Sequence, residues 1–191
     1  MPASARPYHH GDLRPALIEA AVATITEAGP AAMSLRGVAR RAGVTHPAAT
    51  YHFGDKAGLL TAVAAQGYRL LGQALTQAKQ STGDFLEVGV AYVQFAVTHR
   101  AHFEVMYRPE LYDPADPAVQ EARAAAALLL YGSPQPDPEQ LSKGVAAWAI
   151  VHGIATLWLA GNLPVQLGDD PVAITRVVAA HLGIRRPQPA G

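Results

Sequence analysis

Ten residues between positions 34 and 56 carry side chains suited to one kind of chemistry: Ser34, Arg36, Thr45, His46, Pro47, Ala48, Thr50, Tyr51, His52 and Lys56. They offer hydroxyls, imidazoles and cations, the groups that contact phosphates and base edges in a nucleic-acid groove. Thr45, His46, Pro47 and Ala48 fall at the start of what reads as a short helix, the end that enters a major groove; Ala48 and the Pro47 ring suit a thymine methyl group. Lys56 opens a further helix, where a cation opposes the helix dipole. A phosphate bound jointly by the ammonium and the helix start accounts for it. The plain alternative is a solvated lysine costing about a few tenths of a kcal/mol.

The elements that position these residues are legible locally. Ser34 caps a helix in which Leu35, Val38 and Ala39 form one inward stripe, leaving Arg36, Arg40 and Arg41 facing water or phosphate. Gly43 stands where the chain must turn, and a residue without Cβ tolerates the left-handed conformation that ends a helix. Val44 plugs the turn, and Thr45 caps the next helix, in which Pro47 is harmless because first-turn amides have no intrahelical partner. Asp55 caps a third helix running towards Lys79. Two short helices joined this tightly make a helix-turn-helix over 34–53. Before it, a helix opening near Asp12 packs Leu17, Ile18, Ala21, Val22 and Ile25 and stops at Gly29-Pro30.

With these motifs in order, the first sixty residues resemble the TetR family of one-component bacterial repressors. The resemblance runs through Asp12-Leu13-Arg14, Ala20-Ala21, Gly29, Ser34-Leu35-Arg36, Val38-Ala39, Ala42-Gly43-Val44, His52-Phe53 and Lys56 to Leu59-Leu60. Family members commonly hold a phosphate-binding tyrosine two residues before the His-Phe pair. Here Thr50 stands in that place and Tyr51 follows it, so either the tyrosine has moved by one position or Thr50 takes a smaller share of the contact. The second half resembles the subgroup with a Trp-x-x-x-His-Gly element, here Trp148, His152 and Gly153.

Composition bounds the rest. The chain has 191 residues, no cysteine and zero formal net charge, which excludes disulfide frameworks, thiolate metal sites and a polycation that coats nucleic acid. Residues 1–60 hold six bases against four acids, and half of the eight histidines. The polar N-terminus has no apolar signal region, so a cytoplasmic protein is expected. No Gly-rich phosphate loop, no His-Glu-x-x-His and no nucleophile–base set is present, so no enzyme, cofactor or metal is expected; His99 and His102 lack a third ligand.

The expected fold is all-α, about nine helices: an N-terminal arm (1–10), a three-helix DNA-binding head with its helix-turn-helix (11–71), a ligand-binding and dimerisation body (72–185) and a disordered tail (186–191). The arm, with Arg6, His9, His10 and Arg14 close by, reads equally as a minor-groove reader or a frayed end. Five body helices are predicted: Asp84 to His99, Ala101 to Tyr107, Asp116-Pro117 to Gly132, Asp137-Pro138 to Gly161, and Asp170-Pro171 to Leu182. Tyr92, Phe95, Phe103, Met106, Tyr107, Trp148 and His152 are candidates to line an effector cavity, with His152 orienting a largely apolar small molecule. The alternative is an ordinary aromatic core with His152 bonded to a buried carbonyl. The stretch Gly144 to Gly161 is apolar on all sides, which a helix buried between its own core and a partner explains better than a membrane span. With the helix at 170–182 it forms the expected homodimer interface.

These readings converge on a homodimeric repressor released from a palindromic double-stranded DNA operator by a small molecule. A TetR-like activator or co-repressor-dependent regulator is the nearest alternative, and a helical protein-interaction domain a more distant one.

Overall fold

The computed structural model describes residues 13–132 and 135–181. The arm, the Asp12 start, Ser133, Pro134, Leu182 and the tail lie outside the described residues. Among those described there are nine α-helices and no strand: α1 (Leu13–Ala32), α2 (Leu35–Arg41), α3 (His46–Phe53), α4 (Lys56–Thr82), α5 (Phe85–Thr98), α6 (Arg100–Met106), α7 (Pro117–Tyr131), α8 (Pro138–Leu159) and α9 (Pro171–Ala180). No helix among them is long and apolar enough to cross a membrane.

Helix starts follow the capping chemistry of the sequence. Asp116, Asp137 and Asp170 each accept an amide hydrogen bond of 2.8–2.9 Å at the head of α7, α8 and α9, with proline next in line. The end of α1 departs from expectation. Gly29 breaks the helix with φ 76° and ψ 165°, but one more turn follows through Pro30 to Ala32. That turn becomes the resting place of Lys56.

One continuous core runs through the molecule, so head and body are not separate lobes on a linker. In the head, Leu17, Ala21 and Ile25 of α1 meet Val38 and Ala39 of α2, Ala49 and Phe53 of α3, and Leu59, Leu60 and Val63 of α4. The boundary drawn at residue 71 falls inside α4, a single helix that packs on α1 and α3 of the head and on α5, α6 and α7 of the body.

Specific bonds fasten α4 to the body. The Tyr68 and Tyr112 hydroxyls both donate to the Met106 carbonyl, at 3.0 and 2.9 Å. Beside them Gly67 lets α6 approach so closely that a Cβ would stand 2.5 Å from the Met106 sulfur. His102 is buried against Gln66 Oε1 at 3.0 Å. Burial pushes its pKa down to about 4, so the neutral ring donates its Nε2 hydrogen there. Nearer the head, Thr61 accepts a 3.0 Å bond from the Asp113 amide. A displacement of α6 or the 107–117 segment therefore acts directly on the helix that carries the head.

Candidate functional site

The turn between α2 and α3 is built as the sequence implies. Gly43 has φ 71°, and the Val44 amide donates to the Ala39 carbonyl at 2.9 Å. Ala49 and Phe53 anchor α3 in the core, which turns His46, Pro47, Thr50 and Tyr51 outwards and leaves Ala48 and His52 half-buried. Ser34 accepts from the Gly37 amide at 3.1 Å and Thr45 from the Ala48 amide at 3.4 Å. Both hydroxyls thus hold the scaffold while keeping their own hydrogen for another acceptor.

Thr50 and Tyr51 are distinguished by geometry. The Thr50 hydroxyl folds back to the His46 carbonyl at 3.1 Å, whereas Tyr51 is 88% exposed and reaches away from the head. Its ring meets His52 edge-on at 5.4 Å. Arg36 is exposed.

Two cations have partners that local sequence did not reveal. Lys56 Nζ donates to the Ala31 carbonyl at 3.1 Å, tying α4 to the extra turn of α1. Its place at a helix start therefore has a structural explanation without phosphate, which corrects the argument from the helix dipole alone. Arg41 is bound by Glu27 through two 2.6 Å contacts, so it braces α2 on α1 instead of facing open water. Arg14, read from sequence only beside the N-terminal arm and in the Asp12-Leu13-Arg14 motif, lies 5.3 Å over the Phe53 ring. All three pairings join residues far apart in the chain, and no periodicity announces them.

In the body the seven aromatic-site candidates divide into two groups. Met106, Tyr107 and Trp148 line a cavity of about 460 Å³ between α4, α6, α7 and α8. Tyr68, Leu71, Tyr112, Arg123 and Tyr131, which sequence reasoning missed, are among its other walls. Tyr92, Phe95, Phe103 and His152 do not line this cavity: Tyr92, Phe103 and His152 form an aromatic cluster with Tyr107, where Tyr107 and His152 ring centroids approach to 4.5 Å, while Phe95 stacks on His99 at 5.0 Å.

The hub of that cluster is the Tyr92 hydroxyl. It lies 2.7 Å from the Tyr107 hydroxyl, 2.9 Å from His152 Nδ1, and accepts from Trp148 Nε1 at 3.2 Å. A phenol has one hydrogen and two lone pairs, so three partners saturate it. Burial lowers the His152 pKa and raises that of Tyr92 to about 12, which keeps both neutral at physiological pH. His152 therefore bonds a tyrosine hydroxyl, not the backbone carbonyl expected for an ordinary core, and it props the Trp148–Tyr107 wall through Tyr92. Tyr92→Phe is expected to cost about 1–3 kcal/mol, since it strips the shared partner from three polar groups. Urea unfolding followed at Trp148 would measure it, and an unchanged midpoint would show that the hub is dispensable.

A second groove of about 570 Å³ lies beside the cavity, with Leu130 and Tyr131 as the shared wall. Phe85, Ala146, Ala147 and Ile150 form much of its lining. It touches neither α4 nor α6, so its contents have no direct purchase on the head. No group of three or more metal-ligating side chains occurs among the described residues.

The outer face of α8 presents Leu141, Val145, Ala149, Thr156 and Leu157, and α9 adds Val177 at 55% exposed. Its opposite face is covered by α5, α7 and α9. The all-round apolar character of α8 is thus half explained within the chain and half left to the outside.

Comparison with known proteins agrees with this architecture. Residues 17–63 match the family model for bacterial regulatory proteins of the tetR family, and residues 85–182 match that for the tetracyclin repressor-like C-terminal domain. A solved structure of a protein of unknown function from Rhodococcus sp. RHA1 is similar at 32% identity and TM-score 0.76, covering 93% of this chain and 96% of that one. NalD, the secondary repressor of the MexAB-OprM multidrug efflux pump in Pseudomonas aeruginosa, is similar in fold at 20% identity and TM-score 0.60, with 94% and 100% covered. A TetR family transcription regulator from Marinobacter aquaeolei VT8 shares the fold at 19% identity and TM-score 0.63, with 88% and 93% covered. No curated protein matches the chain.

Proposed function

This chain belongs to the TetR family of bacterial regulatory proteins, and on that premise we propose a homodimeric repressor that releases a palindromic operator when a small molecule enters the cavity beside α4. The observation that carries the reading is the continuity of α4: Lys56 to Leu60 belong to the head, while Tyr68 and Leu71 of the same unbroken helix line the cavity. A ligand that favours one placement of α6 and α7 over another thereby sets the angle of α3. Its differential affinity for the two placements supplies all of the switching energy.

In this reading α3 enters the major groove with His46, Pro47 and Ala48 nearest the bases. Arg36 and Tyr51 hold phosphates on either side, Tyr51 taking the role that Thr50, bonded back to its own helix, leaves open. The outer faces of α8 and α9 pair with a second copy, and the two α3 helices then reach half-sites roughly 34–36 Å apart.

The test is fluorescence anisotropy of a duplex drawn from the DNA upstream of the protein's own gene, titrated at several salt concentrations against random DNA. Arg36→Ala is expected to weaken operator and random DNA by similar factors and to flatten the salt dependence by about one phosphate's worth, a slope change near 0.9. His46→Ala should instead relax preference at one base position, costing about 1–3 kcal/mol there and little elsewhere. If His46→Ala weakens every duplex equally, its base-reading role is wrong. A folded dimer that binds no DNA would overturn the proposal as a whole.

A further inference from the structure

We infer that the cavity beside α4 selects an organic anion: a largely apolar, aryl-bearing molecule whose single acidic head pairs with Arg123. This rests on reading that cavity as the effector site and adds what the site recognises. Arg123 is the only charged side chain of its lining. It makes no ion pair or hydrogen bond among the described residues, whereas Arg41, Arg100, Arg108 and Arg176 each hold a carboxylate. The neighbours that share its helix face are Val119, Gln120, Ala126 and Ala127, so α7 supplies no acid to neutralise it. Nor does any acid line the cavity opposite.

Among the phenols of the lining, Tyr68 and Tyr112 spend their hydrogens on the Met106 carbonyl, whereas Tyr107 accepts from Tyr92 and keeps its own hydrogen for an incoming acceptor. These phenols stay protonated, because burial holds Tyr68 and Tyr107 well above the usual tyrosine range. A cation entering here meets the Arg123 charge and no compensating carboxylate. An anion meets a planar guanidinium, exposed at the rim of the aromatic walls, that binds a carboxylate through two parallel hydrogen bonds. Trp148 and Tyr107 at the inner end offer flat faces for a ring, and about 460 Å³ is ample for a bicyclic ligand.

The probes that test this are 1-anilinonaphthalene-8-sulfonate and its uncharged parent, N-phenyl-1-naphthylamine, which share one ring skeleton. They would be titrated into the full-length dimer by fluorescence, with 1-naphthoate and 1-naphthylmethylamine as competitors. The sulfonate should bind at least about tenfold more tightly than the parent, as one charge-assisted pair allows. Arg123→Gln should remove that difference and leave the parent's affinity unchanged; Arg123→Lys should restore part of it. Naphthoate, not the amine, should compete. Ala127→Trp, filling the half-buried wall beside Arg123, should abolish both probes without lowering the melting temperature. Equal binding of the two probes, or a sulfonate indifferent to Arg123→Gln but blocked by Ala127→Trp, would overturn the anion preference and leave the cavity as effector site. Probe binding indifferent to Ala127→Trp, or none at all, would overturn both.

Discussion

Gly58→Ala is expected to destabilise the protein by about 3 kcal/mol or more, the upper range for forced overpacking, and to abolish operator binding. The cause lies in the turn between α3 and α4. Gly54 has φ 73° and ψ −70°, and the Asp55 amide donates to the Phe53 carbonyl at 2.8 Å, a γ-turn of the rare positive-φ kind. This fold-back lays the Phe53 carbonyl against the first turn of α4, where a Cβ at Gly58 would overlap its oxygen. The obstacle is backbone, not the end of a flexible side chain, so relief means moving α3 or α4. Either movement withdraws Phe53 from the head core and re-aims α3. For a chain of this size the loss corresponds to roughly 6–12 °C in Tm. Gly72→Ala is the control, because its Cβ would meet nothing within 4 Å; there alanine should be neutral or stabilising by about 0.5–1 kcal/mol. Paired thermal melts decide the matter. A Gly58→Ala protein that melts like the native one would show that the junction gives way freely.

The second large effect is expected at the outer face of α8. Val145 is 42% exposed in the single chain, flanked on the same face by Leu141 at 41% and Leu157 at 44%. Val145→Asp therefore disturbs little within the chain but places a charge in the middle of the proposed subunit contact, where it would be buried without a partner. Sedimentation should show the dimer converted to monomer while the helical signal and the urea slope are kept. Operator affinity should fall by about 10²–10⁴-fold, because a head bound alone loses the effective concentration supplied by its tethered twin. A variant that stays dimeric would place the interface elsewhere. A monomer that keeps its affinity would mean that one head suffices for the operator.

Much of this was written in short-range pattern. Ser34, Thr45 and Asp55 as caps, Gly43 as the turn, and the three Asp-Pro starts all act within three or four residues of themselves, so their chemistry is complete before the chain folds. Nine helices at nearly the expected bounds, and the family they spell, follow from such local rules together with the 3.6-residue period. The outward face of α3 was legible for the same reason: once Ala49 and Phe53 are assigned inwards, the exposed residues of α3 are determined by helix geometry.

Tertiary structure alone decided which groups remain available. Lys56 and Arg41 looked equally open to phosphate, yet one meets the Ala31 carbonyl and the other Glu27, partners 25 and 14 residues away. His152 looked like the polar group of a ligand site, but Tyr92, 60 residues distant, takes its Nδ1. Arg123 carried no motif and drew no notice, and only the packing of α7 against α4 and α8 sets it at the mouth of an aromatic cavity. Sequence pattern reports what a residue can do with its neighbours along the helix; whether its hydrogen bonds and charge are already spent depends on which distant segment the core brings alongside it.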